Sequence, residues 1–114
     1  MTIFAKIIAG DIPCDKIYED EHILAFHDIH PDATVHGLVI PKKEHLARIQ
    51  DAAPEDAPLL GHMMAKIPEI AEKLGLAQGG YRVVTNCGEN AGQEVPHLHF
   101  HILGGERLGP LNSK

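Results

Sequence analysis

The chain has 114 residues, 44% hydrophobic and 23% charged, and a formal net charge of −6 with nine histidines. This length and composition are typical of one globular domain, residues 1–114, with a sizeable core. An acidic chain without a Lys/Arg cluster argues against nucleic-acid binding. No apolar run approaches the ~20 residues of a membrane span, and no signal segment is recognisable. We therefore expect a cytoplasmic protein that does not bind membranes.

The first part of the chain predicts a short helix followed by three strands. Thr2 is a good N-cap for a helix that runs toward Gly10 with its apolar residues on one stripe. Residues 17–19 and 23–26 form a predicted hairpin. A third strand, residues 36–40, is rich in aliphatic residues and is stopped by the following proline.

The middle of the chain predicts a main helix from about Glu55 to Leu74, because apolar residues keep three-four spacing there. Met63 and Met64 are both expected in the core. Pro68 should kink the helix. A short helical turn is predicted just before it, over residues 44–50.

Two further strands, residues 81–86 and 97–103, complete the predicted elements. The order of helix, three strands, helix and two strands indicates an α+β fold. We expect a meandering five-stranded antiparallel sheet with the main helix and the short N-terminal helix covering one face.

Three histidines alternate with apolar residues in the last predicted strand. Side chains on a strand point to opposite faces in turn, so we expect the histidines on one face and the apolar side chains in the core. The histidines are His97, His99 and His101, and the apolar residues are Leu98, Phe100 and Ile102.

This pattern leaves three interpretations open. A single zinc ion would strain to take all three imidazoles, because the outer alpha carbons lie roughly 13 Å apart on a strand. Surface histidines on an edge strand are the second interpretation. The third is phosphorus chemistry, in which one imidazole attacks while its neighbours contact phosphate oxygens and the leaving group.

The run His97-Leu98-His99-Phe100-His101-Ile102-Leu103 resembles the signature of the histidine triad (HIT) family. Blocks at residues 2–8, 26–29, 36–43 and 81–86, and Gly92-Gln93, resemble its HINT branch in the same order. The resemblance implies a single HIT-like domain and a homodimer whose two sheets join. It also implies a purine nucleotide of the AMP type as ligand.

The resemblance also assigns roles to the histidines. His99, central in the run, is the expected nucleophile on the α-phosphorus, giving a nucleotidyl-histidine intermediate that water cleaves. His101 is expected beside the phosphate and leaving group, with His97 and His36 supporting the network. The implied enzyme is a purine nucleoside phosphoramidase or nucleotidyl hydrolase.

The expected nucleotide site gathers residues from several segments. Asp28 is expected to accept the ribose hydroxyls, and Asn86 to donate to phosphate or a ribose oxygen. Backbone N–H groups of the Gly-rich loop are expected to cradle phosphate oxygens. The remaining positions form the nucleoside pocket and the loop: Ile3, Phe4, Ile7, Phe26, His27, Ile29, Leu38, Gly92, Gln93, Glu94 and Val95.

Two positions depart from the family pattern. Glu94 replaces a small hydroxyl residue, and Pro96 replaces an aromatic residue. A carboxylate at position 94 favours cationic leaving groups. No cofactor or metal is expected. Two alternatives stay open: a nucleotide-binding regulatory protein with vestigial activity, and a zinc hydrolase using His97 and His99 with Asp28 or His36.

Overall fold

The computed structural model describes residues 1–43 and 46–111, and its centre is a five-stranded antiparallel sheet. The strands are β1 Lys16–Glu19, β2 Ile23–His27, β3 Val35–Pro41, β4 Tyr81–Val84 and β5 Phe100–Gly104. The helices are α1 Ile3–Ile8 and α2 Ala57–Lys73. The predicted α+β fold with one main and one short helix is confirmed.

The strand order differs from a simple meander. It is β1-β2-β3-β5-β4, so the last strand in sequence lies between β3 and β4. Leu38 pairs with His101, and Val39 pairs with Phe100. The histidine-bearing strand is therefore bordered on both sides, and only β1 and β4 are edge strands of the described sheet.

The two helices cover opposite faces of the sheet, so the expectation that both lie on one face is wrong. One core cluster joins α2 residues such as Ile67 and Ile70 to Ala25 and Val39. A second cluster joins Phe4 of α1 to sheet residues that alternate with the first set. The period of two along β2 and β3 divides their apolar side chains between these faces.

Local sequence explains both helices. The Thr2 hydroxyl accepts the Ala5 N–H at 3.0 Å and caps α1. Helix α2 follows a 3-10 turn at Pro54–Asp56 and continues through Pro68 to Lys73. Leu74 is the C-cap that follows α2, and the next residue, Gly75, has φ 76°.

The methionine pair of α2 separates into two environments. Met63 is fully buried, whereas Met64 is 44% exposed, so its expected place in the core is wrong. Adjacent positions on a helix are about 100° apart, and the buried stripe includes only one of them. Of the helical turn expected over residues 44–50, residues 44 and 45 lie outside the described residues, and a 3-10 turn covers Ile49–Asp51.

The last two strands are shorter than predicted. The β4 ladder ends at Val84, and the β5 ladder begins only at Phe100. His97 and His99 therefore precede the regular strand. Leu98 and Ile102 are buried as expected, while Phe100 is partly buried against the α2 cluster. Within residues 1–43 and 46–111, no helix is long and apolar enough to cross a membrane.

Candidate active site

A cavity of about 490 Å³ opens on the α1 face of the sheet. It lies between α1, the ends of β2 and β3, and the loop before β5. His99 and His101 line it, together with every predicted nucleotide-binding residue: Ile3, Phe4, Ile7, Phe26, His27, Asp28, Ile29, Leu38, Asn86, Gly92, Gln93, Glu94 and Val95. Segments far apart in sequence thus meet at one site.

Five lining residues carry no signal that the sequence analysis used: Ile12, Pro13, Cys14, His30 and Asp32. They lie in two short segments. One follows α1, and the other follows Asp28 directly. Continuity with predicted site residues is the signal that could have found them.

His97 lies beneath the cavity and does not line it. Its side chain is buried, with 1% of the residue exposed, and its Nε2–H donates to the Pro41 carbonyl at 2.8 Å. The Phe4 ring meets it edge-on, with centroids 6.0 Å apart. His97 thus ties the start of the histidine run to the end of β3.

His99 is held in one tautomer by the main chain. Its Nδ1 lies 2.7 Å from the His97 carbonyl oxygen. A carbonyl oxygen only accepts, so Nδ1 carries the proton and a neutral ring keeps its lone pair on Nε2. Burial is the main reason that the pKa of His99 lies below its ordinary value. The neutral, nucleophilic form is therefore favoured at neutral pH.

His36 and His101 form a second hydrogen-bonded chain. The backbone N–H of Asp32 donates to His36 Nδ1 at 3.0 Å, so the neutral His36 ring carries its proton on Nε2. That Nε2 lies 2.8 Å from His101 Nδ1. His101 therefore accepts at Nδ1 and keeps an N–H at Nε2.

Burial, then the neighbouring rings of His99 and His36, lowers the pKa of His101 to about 4. His101 is thus neutral at pH 7. It lines the cavity as a hydrogen-bond donor through Nε2–H.

Asp28 follows β2 and faces both its own loop and the histidines. Its Oδ1 accepts the His30 N–H at 2.8 Å, and its Oδ2 lies 3.5 Å from His36 Nε2. The carboxylate thus caps a turn and also lines the cavity. Its Oδ2 makes the weaker protein contact and is the better placed oxygen for a ligand hydroxyl.

The apolar end of the cavity is built on two aromatic rings. Phe4 and Phe26 meet edge to face at 5.7 Å and pack with buried Leu38. Ile3 and Ile29 line the cavity but are 47% and 79% exposed, so they form its rim rather than its wall. Ile29 therefore lies at the expected nucleoside pocket, but at its exposed rim.

The Gly-rich loop uses two of its N–H groups within the protein. Gly92 N–H donates to the Glu89 carbonyl, and Gln93 N–H donates to the Gly88 carbonyl. The side-chain Nε2 of Gln93 donates to the backbone carbonyl oxygens of Ala47 at 2.6 Å and of Val95 at 3.0 Å. Gln93 therefore positions the loop. Of the four backbone N–H groups expected to bind phosphate oxygens, those of Gly92 and Gln93 are already bonded within the protein, which leaves those of Glu94 and Val95 for this role.

One set of potential metal ligands occurs among residues 1–43 and 46–111. Asp28, His36 and His101 each offer an atom within 4.8 Å of the others. This is not the set predicted for a zinc hydrolase. His36 Nε2 carries a proton because Asp32 N–H occupies Nδ1, so it offers no lone pair to an ion. The histidines of this set therefore favour hydrogen bonding to each other over binding a metal ion.

Comparisons with known proteins agree with this architecture. A family model described as the HIT domain matches residues 9–108. The chain is 46% identical over 113 residues to a HIT-like protein of Azospirillum brasilense, covering 99% of this chain and 93% of that protein. It is 44% identical over 110 residues to the purine nucleoside phosphoramidase of Escherichia coli (strain K12), covering 96% and 92%.

Solved structures of HIT family proteins also resemble this fold. A HIT family hydrolase from Legionella pneumophila matches with a TM-score of 0.91 and 43% identity, covering 96% of each chain. A histidine triad protein from Clostridium difficile matches with a TM-score of 0.90 and 44% identity, covering 96% of this chain and 95% of that one. The chain belongs to the HIT family.

Proposed function

We propose that this protein hydrolyses phosphoramidates or esters of purine nucleoside 5'-monophosphates at the α-phosphorus. The observation that carries the proposal is the tautomer of His99, whose Nδ1–H is bound to the His97 carbonyl. In this tautomer the Nε2 of neutral His99 is unprotonated and can act as a nucleophile. His99 also lines a cavity large enough for a nucleotide. Similarity to a purine nucleoside phosphoramidase along almost the whole chain supports the substrate class.

Catalysis proceeds in two displacements at phosphorus. The His99 Nε2 lone pair forms a bond to phosphorus, and the bond to the leaving nitrogen or oxygen breaks with its electron pair. The departing atom takes up one proton from solvent. Water then attacks phosphorus, Nε2 leaves, and the water releases one proton, which balances the first.

The neighbouring groups stabilise these steps. The His97 carbonyl accepts the Nδ1–H of the imidazolium that forms on His99, which stabilises its positive charge. His101 Nε2–H is a donor for a phosphate oxygen or the leaving atom. Its lowered pKa keeps it neutral, so it does not repel the developing imidazolium of His99.

The rest of the cavity recognises the nucleoside. The buried pair of Phe4 and Phe26 offers an aromatic wall for a purine. Asp28 accepts from the ribose, and the exposed carboxylate of Glu94 at the cavity biases the leaving group toward cationic amines. A homodimer joined through edge strands of the sheets and a cytoplasmic location stay part of this proposal.

Mass spectrometry during turnover tests the covalent step. With adenosine 5'-phosphoramidate as substrate, the acid-quenched protein should carry an adenylyl group on His99. His99→Ala should lose the adduct and at least about 1000-fold in kcat, as removal of a nucleophile does. AMP binding should persist, because the other cavity contacts remain.

His30→Ala is the matched control, since His30 lines the cavity outside the hydrogen-bonded chain. It should still form the adduct. Turnover by His99→Ala at the wild-type rate would overturn the mechanism. Tight AMP binding by a wild-type protein without turnover would favour a regulatory protein instead.

A further inference from the structure

Thr85 contacts the main chain of His99 from the side of β4. The Thr85 hydroxyl donates to the backbone carbonyl oxygen of His99 at 2.8 Å. Thr85 is partly buried, directly follows β4, and does not line the catalytic cavity. The steps of the proposed hydrolysis give it no role. A side chain that contacts the main chain of the nucleophile, but not the cavity, can influence the reaction by positioning His99.

The contact lies where the regular pairing of the strands ends. The last paired residues of β4 and β5 are Val84 and His101, and β5 itself begins at Phe100. Strand β3 also pairs with β5 no further than Phe100. A ladder of backbone hydrogen bonds therefore fixes His101 but stops before His99. The Thr85 hydroxyl links β4 to the main chain of His99 beyond the end of this ladder.

The chain just before the nucleophile is bound by other contacts. The Leu98 N–H donates to the Leu46 carbonyl at 2.7 Å. The Nε2–H of His97 donates to the Pro41 carbonyl at 2.8 Å. These bonds fix the main chain ahead of the nucleophile, and the Thr85 hydroxyl fixes the carbonyl that follows its alpha carbon. The two sets of contacts thus hold the reactive residue from both directions along the chain.

The ring of His99 is fixed relative to its own main chain. Its Nδ1–H donates to the His97 carbonyl at 2.7 Å. The rings of Phe4 and His101 meet it edge-on, with centroids 5.1 and 5.0 Å away. Because the ring has little freedom to compensate, a shift of the main chain moves Nε2 as well. A misplacement of about 1 Å costs on the order of 100-fold in rate.

We propose that Thr85 is a positioning residue for the nucleophile. Its hydroxyl fixes the main chain at His99 and thereby holds Nε2 in the position from which it attacks the α-phosphorus. This inference rests on the proposed function, in which His99 is the nucleophile. Because Thr85 does not line the cavity, its hydroxyl affects the chemical step and not the binding of the nucleotide.

Steady-state kinetics with adenosine 5'-phosphoramidate tests this role. Thr85→Val removes the donor but keeps the shape and β-branching of the side chain, so circular dichroism should show a retained fold. Its kcat should fall about tenfold or more, while KM and the affinity for AMP stay within about twofold of wild type. Thr85→Ser restores a hydroxyl and should recover kcat to within about threefold of wild type.

Thr34→Val is the matched control, because the Thr34 hydroxyl donates to Glu106 beyond the other end of β5. Thr34 does not line the cavity, so this variant should keep the wild-type kcat. Wild-type kcat in Thr85→Val would overturn the proposal. So would a loss of kcat that Thr85→Ser does not recover, an equal loss in Thr34→Val, or a raised KM with unchanged kcat.

Nitrogen NMR of the histidine rings separates failure of this inference from failure of the proposed function. If wild type forms no adduct on His99, the proposed function is wrong, but the position of the ring can still be measured without turnover. Thr85→Val should shift the ring resonances of His99, and Thr85→Ser should restore them. Those of His22, in the turn between β1 and β2, should not change. Unchanged His99 resonances in Thr85→Val would overturn the inference with or without turnover.

Discussion

At the scale of single residues, the histidines differ by what holds their second nitrogen. His99 and His97 donate to main-chain carbonyls, whereas His36 accepts from a main-chain N–H. The main chain thus decides which ring nitrogen is basic and which is a donor. Because His36 donates to His101, the Asp32 N–H also determines the tautomer of a ring that it does not touch.

Asp28→Ala should weaken binding of adenosine monophosphate by about 1–3 kcal/mol, because a ribose hydroxyl loses its acceptor. The loss should be smaller for the 2'-deoxynucleotide. Titration calorimetry with both ligands measures the two losses. Asp32→Ala is the matched control, since it removes the same charge from the cavity lining but keeps the N–H that His36 requires. An unchanged ratio of ribose to deoxyribose affinity in Asp28→Ala would contradict the assignment.

At the scale of elements, helix α2 is bound to the sheet through a narrow stripe. Met63 and Ile67 lie in it, together with Ile70 and Ala71. Met64 is next to Met63 in sequence and has 44% of its surface exposed. Substituting each methionine in turn therefore measures the effect of burial, because the two side chains are identical and adjacent in α2.

Met63→Ala should lower the free energy of unfolding by about 2–5 kcal/mol, through lost burial and the cavity left behind. Met64→Ala should change it by less than about 1 kcal/mol, because Met64 lies outside the buried stripe and 44% of its surface is already exposed. Urea denaturation followed by circular dichroism measures both. Equal losses for the two variants would show that both side chains belong to the core.

The sequence predicted most elements, because their signals are local. The Thr2 cap, the three-four stripe of α2 and the strand alternation each lie within a few residues. The position of β5 between β3 and β4 has no local signal, since it depends on pairing across distant segments. The length of β5 was overestimated because His97 and His99 alternate with apolar residues without joining a ladder.

For the candidate site, the sequence predicted many of the residues but not how they are hydrogen-bonded. Family resemblance supplied most of the residues that line the cavity, including Asp28 and Asn86, but not Ile12, Pro13, Cys14, His30 or Asp32. The tautomers were not predictable, because they depend on which main-chain atoms meet each ring. The backbone N–H of Gln93 was expected at phosphate. Its bond to the Gly88 carbonyl, and the side-chain bonds of Gln93 to the Ala47 and Val95 carbonyls, become visible only in the folded loop.

At the scale of the whole molecule, pH couples the site to stability. The folded chain holds the pKa values of His99 and His101 below 6.5, the ordinary value that they regain on unfolding. Between pH 6.5 and about 4.5 the unfolded chain therefore binds more protons at these positions. Stability must fall as pH decreases through this window. Carboxylates with lowered pKa values, such as Glu19, act mainly below about pH 4.5.

The unfolding free energy should therefore decrease between pH 7 and 5, and His101→Asn should reduce that decrease by about 1 kcal/mol. The figure allows for solvent screening of a partly exposed ring. Urea denaturation at closely spaced pH values measures the slope. His30→Asn, which removes an exposed imidazole from the cavity rim, should keep the wild-type slope. A slope unchanged in His101→Asn would show that His101 titrates alike in both states.

The position of β5 between β3 and β4 constrains the order in which the sheet folds. Strands β1 to β3 pair with their neighbours in sequence, whereas β5 must enter between β3 and β4. His36 meets His101 across 65 positions, and Thr34 meets Glu106 across 72. Contacts so distant in sequence form late, since they close the longest loops. The contact between His36 and His101, which lies beside the proposed nucleophile His99, is therefore complete only after β5 has entered the sheet.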